Sequence, residues 1–263
     1  MAKKKSSATD AAARFDTYYE AAFGPRWNPL RQSMFSEHRQ VALGEPLLQP
    51  YYLDEASKIA ADLLPVRKGD TVLDMCAAPG GKTLVLAMKL AGTGTLISND
   101  RSATRRARLR SVLDSHLPPA YRENIIVTGH DASRWGLHEQ EVYDHILLDA
   151  PCSSERHVLN DPQALAEWSA SRPKRLAVQQ FAMLAAALEA VRIGGTILYS
   201  TCAIAPIEDE QVIAKLFEKR KDRFELLEMD VPFAEKREYG SIILPDAAEG
   251  RGPLYFCHLR RLG

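Results

Sequence analysis

The 263 residues predict an α/β protein: a mostly parallel, doubly wound sheet with helices on both faces, preceded by a short helical extension. Three observations predict it. Beyond Pro65, apolar runs of strand length alternate with stretches of helical spacing, the rhythm of βαβ units. Before Pro65, Phe15 to Leu64 has helical spacing broken by GPRWNP (residues 24–29) and GEPLLQP (44–50). Finally, three of the apolar runs end in segments rich in reactive or turn-forming residues: MCAAPGGKT (75–83), LLDAPCSS (147–154) and LYSTCAI (198–204).

Taken in order, MAKKKSSATD reads as a flexible basic tail over residues 1–10, since such composition cannot bury itself. Its three lysines precede no apolar run, so it is not a secretory signal, although a short mitochondrial import sequence is compatible with it. Residues 11–64 read as two or three short helices separated by proline-rich turns. Residues 65–263 read as the sheet domain. Strands are expected at 71–76, 95–100, 124–128, 144–149 and 196–201, where β-branched and leucine residues cluster between turn signals. Helices are expected between them at 82–90, 103–115, 174–191 and 208–220, and two closing strands at 223–230 and 253–260.

Lys+Arg and Asp+Glu both count 34, so the chain has no net charge and offers no global argument for nucleic-acid binding. A neutral chain gains little from counterion release, so shape, base extrusion and partner surfaces are expected to contribute to any nucleic-acid binding, beside local basic patches. The four cysteines (Cys76, Cys152, Cys202, Cys257) form no C-x-x-C pair, which argues against zinc and against a disulfide framework. No metal is expected. Free thiols suit a reducing, cytoplasmic compartment, and no apolar run reaches the ~20 residues of a membrane helix.

The motifs carry the chemistry. Ligands of open α/β sheets bind outside the carboxyl ends of the strands, so Cys152, Cys202 and the glycine turn are expected to share one crevice. Gly80-Gly81-Lys82-Thr83 resembles the end of an NTPase phosphate loop, but the first glycine of that pattern falls on Cys76. The turn also suits a tight strand-to-helix connection without a ligand, or a nucleoside cofactor, because glycines admit close approach and a helix N-terminus supplies N–H donors. Asp100, about 20 residues past the glycines, stands where a carboxylate binds a ribose. Asp131 and Asp149 follow the next two strands.

DMCAAPGGKT, DAPCS and YSTC, in this order, resemble the motifs of the Sun family of S-adenosylmethionine-dependent RNA cytosine-5 methyltransferases, over roughly residues 64–259. FDTYYEAAFGPRWNPLRQSMFSE and PCSSERHVL are further similar to the mitochondrial ribosomal-RNA member of that family. One departure stands out. After Cys152 this chain has Ser-Ser-Glu-Arg-His where most of the family has a glycine-containing C-S-G-x-G run.

The resemblance implies a Rossmann-like class I methyltransferase fold, S-adenosylmethionine as cofactor and RNA, ribosomal RNA in particular, as partner. It implies Cys202 as the nucleophile that adds to carbon 6 of cytosine, Cys152 as an aid to product release, and Asp149 as hydrogen-bond partner of the base, with Lys82 contributing. It further implies that Gly80, Gly81 and Lys82 approach the methionine part of the cofactor, Asp100 the ribose, Asp131 and Ala132 the adenine, Arg105 the adenosine side, and Asp149 both cofactor and base. Cys76 and Cys257 read as small apolar core residues, His157 as a loop residue touching RNA, and Trp27, Trp135 and Trp168 as packing residues. Two other functions stay open: a DNA cytosine-5 methyltransferase, whose attacking cysteine follows proline as Cys152 does, and a non-catalytic RNA-binding ribosome-assembly factor.

Overall fold

Five parallel strands and one long antiparallel strand form the centre of the protein in a computed structural model that describes residues 8–263. The chain enters through α1 (Ala8–Phe23), a 3-10 turn (Gly24–Arg26) in which Gly24 takes a φ of +55°, and α2 (Trp27–Ser33). Of the expected tail, residues 1–7 lie outside the described residues, and Ala8 to Asp10 already belong to α1.

The expected run of helices to Leu64 is corrected in its middle. β1 (Gln40–Leu43) and β2 (Tyr51–Asp54) pair antiparallel, and GEPLLQP is the connection between them. Pro46 and Pro50 forbid a helix there, and Leu43 and Leu53 turn inward from the ribbon to the core. α3 (Glu55–Leu63) follows at once, with the Asp54 carboxylate accepting from the Ser57 N–H at 3.2 Å.

The sheet then unfolds in alternation: β3 (Thr71–Asp74), α4 (Gly81–Leu90), β4 (Thr95–Asn99), α5 (Ala103–His116), the short α6 (Pro119–Arg122), β5 (Ile125–Thr128) and, after a 3-10 segment at Ala132–Leu137, β6 (Tyr143–Asp149). Two short helices, α7 (Glu155–Asn160) and α8 (Pro162–Ala166), precede α9 (Ser171–Ala190), β7 (Val191–Thr201) and α10 (Glu210–Arg220). The chain ends with β8 (Phe224–Leu226), β9 (Ala234–Lys236), β10 (Ser241–Ile243) and β11 (Leu254–Arg261).

Among the described residues, one sheet runs in the order β5-β4-β3-β6-β7-β11-β10-β9, with β8 also on β11. The strands from β5 to β7 are parallel, and β11 runs against β7. Alternate residues face opposite layers: Ile146, Leu148, Ile197 and Tyr199 join one core, Leu147 and Leu198 the other. Both faces are therefore buried, which is why these strands read as continuous apolar runs.

The sequence expected the five parallel strands and their helices with small errors at the ends. Val191 belongs to β7 and not to the helix before it, and α10 starts at Glu210, leaving Glu208 and Asp209 outside it. The strand expected over 223–230 shrinks to three residues, while β9 and β10, each only three residues long, were not expected. The N-terminal region packs on the first core. Phe15, Tyr19, Trp27 and Trp168 form an aromatic cluster, with Tyr19 and Trp27 stacked at 5.2 Å between centroids. All four are buried, so Trp27 and Trp168 pack as the sequence predicts; Trp135 is buried as well.

Candidate active site

Strand order places the site. The chain order reverses between β3 and β6, and at such a switch point the loops leave in opposite directions and open a crevice. The segment after β3 forms one wall. Gly80, at a φ of +123°, starts α4; a Cβ there would stand 3.1 Å from both Leu109 and Val112 of α5, and one on Gly81 would stand 3.0 Å from the Tyr51 ring. The two glycines thus let α4 pack against α5 and the β1–β2 ribbon. Gly81 lines a cavity of 120 Å³ together with Asp74, Lys82 and Asp149.

β6 and β7 bring the two thiols together. Asp149 lies in register with Ser200, so Cys152, three residues on, and Cys202, two residues on, leave adjacent strand ends. Their sulfurs are 3.0 Å apart. Ser154 Oγ lies 3.4 Å from the Cys152 sulfur and 3.3 Å from that of Cys202. Cys202 faces an adjoining cavity of 520 Å³, lined also by Met34, His38, Asp54, Arg156 and His157. His157, expected in a loop, is exposed on the short helix α7 beside this opening.

Lys82 Nζ donates to Asp149 Oδ2 at 2.8 Å and to Ser57 Oγ at 3.2 Å, while Ser200 Oγ donates to Asp149 Oδ1 at 2.9 Å. Burial works against the charge on Lys82, but the Asp149 carboxylate, with Cys202 and Asp74 behind it, outweighs burial and raises the ammonium's pKa. The thiols are driven apart. Hydrogen bonding from Cys152 lowers the Cys202 pKa against the cost of burial, aided by Ser154 and the Lys82 cation. Cys152, giving its hydrogen to Cys202 and buried near Glu155, is raised. Cys202 is therefore the more acidic thiol of the pair.

A third cavity, of 380 Å³, opens on the other side of Cys76, lined by Asn99, Asp100, Arg105, Asp131, Ala132 and Met183 among others. Asp100, Arg105, Asp131 and Ala132 thus meet in one place. Asp100 Oδ1 accepts from Ser102 N–H at 2.9 Å. Asp100 Oδ2 is buried and accepts no hydrogen bond, although Arg105 Nη1 is 3.3 Å away. Arg105 also donates to the Ala78 carbonyl at 2.6 Å, tying the glycine turn to α5. An orphaned buried carboxylate oxygen on a nucleoside-sized cavity fits a ribose hydroxyl. Gly80 lines none of these three cavities.

Several functional residues escaped the sequence reading. Ser153 N–H and Oγ both donate to Glu208, which also accepts from Gln180. Glu155 accepts from the Tyr19 hydroxyl and from the Ile204 N–H. Asp209 accepts from Thr201 Oγ1 at 2.7 Å, and Asp74 from Thr83 Oγ1 at 2.7 Å. A carboxylate three residues after Cys152 and another six after Cys202 were visible in the sequence, but nothing there said they were buried. Cys76 and Cys257, by contrast, keep the apolar role expected of them, and burial pushes both thiols up. No group of histidines, cysteines and carboxylates that could hold a metal occurs among the described residues.

A parallel sheet with an antiparallel strand beside β7, and a nucleoside-shaped crevice at its switch point, is the class I methyltransferase fold. The chain belongs to the 16S rRNA methyltransferase RsmB/F family, which it matches over residues 61–260. It is 35% identical over 247 residues to the 5-cytosine rRNA methyltransferase NSUN4 of Mus musculus, covering 88% of this chain and 64% of that protein. It is 32% identical over 228 residues to the mitochondrial tRNA (cytosine(34)-C(5))-methyltransferase of Danio rerio, covering 82% and 62%. Among solved structures, NSun6 from Pyrococcus horikoshii with SFG superposes with a TM-score of 0.67 at 25% identity, over 81% of this chain and 54% of that one. The chain thus spans less than two thirds of the length of these relatives.

Proposed function

We propose that the protein is an RNA cytosine-5 methyltransferase that uses S-adenosylmethionine and acts on ribosomal RNA through a covalent cysteine adduct. The observation that carries this reading is the meeting of Cys152 and Cys202, sulfurs 3.0 Å apart, beside the Lys82–Asp149 pair. Carbon 5 of cytosine is a poor nucleophile, and a thiolate adding to carbon 6 converts the ring to an enamine. The Cys202 sulfur pair forms the S–C6 bond while the C5=C6 pair moves to carbon 5. Asp149 is placed to hydrogen-bond the base, with Lys82 holding its carboxylate in position. The bound cofactor supplies an electrophilic methyl group. Loss of the carbon-5 proton to a base returns the electron pair to the ring and breaks the S–C6 bond, with Cys152 assisting release.

Asp100, Asp131, Ala132 and Arg105 suit the adenosine part of the cofactor, and Gly81, Lys82 and Asp149 the methionine part. Met34 and His38 line the cavity in front of Cys202, which supports a role for the N-terminal region in placing the substrate. The lowered Cys202 pKa favours the RNA reading over the DNA reading, which needs Cys152 as nucleophile. The intact thiol pair argues against a non-catalytic assembly factor. The four free thiols support a reducing compartment, cytoplasmic or mitochondrial. The test is bisulfite sequencing of total RNA from cells with and without the gene. Loss of one protected cytosine in ribosomal RNA is expected; loss only in transfer RNA overturns the substrate, and no loss in any RNA overturns the activity.

A further inference from the structure

Ser154 immediately precedes α7 with its backbone in the region that glycine prefers. Its φ and ψ are 54° and 57°, the left-handed region in which a side chain is disfavoured. A serine kept in that conformation costs stability, and its hydroxyl touches little besides the two thiols and the Cys152 carbonyl at 3.5 Å. Strain at a residue whose hydroxyl lies 3.3–3.4 Å from both thiols points to a role in their chemistry.

We propose that Ser154 is a catalytic residue whose hydroxyl donates a hydrogen bond to the Cys202 sulfur and stabilises it as both attacking and leaving thiolate. The proposal rests on the reading of Cys202 as the nucleophile. No proton crosses the hydroxyl. Its hydrogen bond follows the charge on sulfur: strong to the thiolate, weak once the sulfur pair forms the S–C6 bond, strong again when that bond breaks and the pair returns. A better stabilised thiolate is present in larger fraction and leaves faster, at some loss of intrinsic nucleophilicity. The hydroxyl therefore helps most at neutral pH and in release.

The charged and titratable groups facing Cys202 come from every wall of the site: Lys82 from α4, Asp149 from β6, Cys152 from the following turn, Glu155 from α7, and His38, Asp54, Arg156 and His157 across the cavity. Ser154, like Cys152, is a neutral donor to Cys202, but it does not titrate, so replacing it changes no charge.

Two variants separate the oxygen from the backbone. Ser154→Ala keeps the Cβ and its strain and loses only the oxygen; Ser154→Gly also relieves the strain. The readout is the pH dependence of iodoacetamide modification at Cys202 in the otherwise intact protein, located by peptide mass mapping, together with the melting temperature. In both variants the midpoint is expected to rise by about one pH unit, making modification at pH 7 about tenfold slower, while the glycine variant melts no lower than the parent. With substrate RNA and cofactor, both variants are expected to accumulate covalent adduct because release slows. An unchanged midpoint in the alanine variant, or a shift in the glycine variant alone, overturns the proposal. Modification needs no RNA, so a shifted midpoint in a protein that never forms an adduct would leave the hydrogen bond standing and instead remove Cys202 from the role of nucleophile.

Discussion

Glu208, from the loop after Cys202, accepts hydrogen bonds from both the N–H and the hydroxyl of Ser153, the residue after Cys152. The relation is reciprocal, because Glu155 of the Cys152 segment accepts from the Ile204 N–H beyond Cys202. Each cysteine loop is held by a carboxylate from the other. The distance between the sulfurs is thus fixed by buried groups behind them.

This bracing carries a pH dependence. Burial, with Glu208 nearby, pushes the Glu155 carboxyl up to about 8 from an ordinary 4.5. The folded protein therefore keeps a proton that the unfolded chain releases, and this contribution is full below pH 4.5 and lost as pH rises through about 8. Glu155→Gln, which cannot lose that proton, is expected to flatten the fall in urea-unfolding stability between pH 5 and pH 8. Asp74, raised to about 7 by burial, leaves a residual slope of the same sign. An identical slope in parent and variant would remove Glu155 from this role.

The thiols are expected to divide their labour. Cys202→Ala should lose both methyl transfer and the slow-running covalent band on a denaturing gel. Cys152→Ala should accumulate that band, since attack proceeds and release fails. A band that persists in Cys202→Ala and vanishes in Cys152→Ala reverses the assignment in favour of the DNA-type chemistry.

S-adenosylmethionine at about 100 times its Kd should stabilise the protein by about 2.7 kcal/mol in a thermal melt. Asp100→Ala should lose most of that gain. Asp70→Ala, at the opposite end of β3 where its carboxylate accepts from the Arg67 N–H at 2.7 Å, should melt lower but keep the cofactor shift. Equal losses of the shift in the two variants would contradict the ribose assignment.

Lys82→Met removes the cation that holds Asp149 and faces Cys202. Methyl transfer is expected to fall by at least about 100-fold, with the pH midpoint of Cys202 modification moving upward. A variant with near-normal transfer at pH 7 would reduce Lys82 to a helix-start residue.

The N-terminal region shares the catalytic core. Trp27→Ala, which empties a buried site against Phe15 and Tyr19, should cost about 3–5 kcal/mol in urea unfolding. A loss below about 1 kcal/mol would mean that α1 and α2 dock only loosely.

The sequence by itself determined the sheet and the location of its chemistry. Strands such as Tyr143–Asp149 and Val191–Thr201 are buried on both faces, so they appear as apolar runs whatever surrounds them, and ligand loops must leave their carboxyl ends. Cys152, Cys202, Lys82, Asp149 and Asp100 could be named from that rule and from motif resemblance. Tertiary structure alone decided the rest. The β1–β2 ribbon exists because Leu43 and Leu53 find the core that α3 and α4 also pack against, a contact absent from local spacing. Glu155, Glu208 and Tyr19 matter because folding withdraws them from water and joins residues more than fifty positions apart, and Ser154 because a turn forces its φ positive. Periodicity records which face of an element is apolar. It does not record which polar side chains the fold will bury, or against whom, and at this site those buried partners set both the geometry and the proton affinities of the thiols.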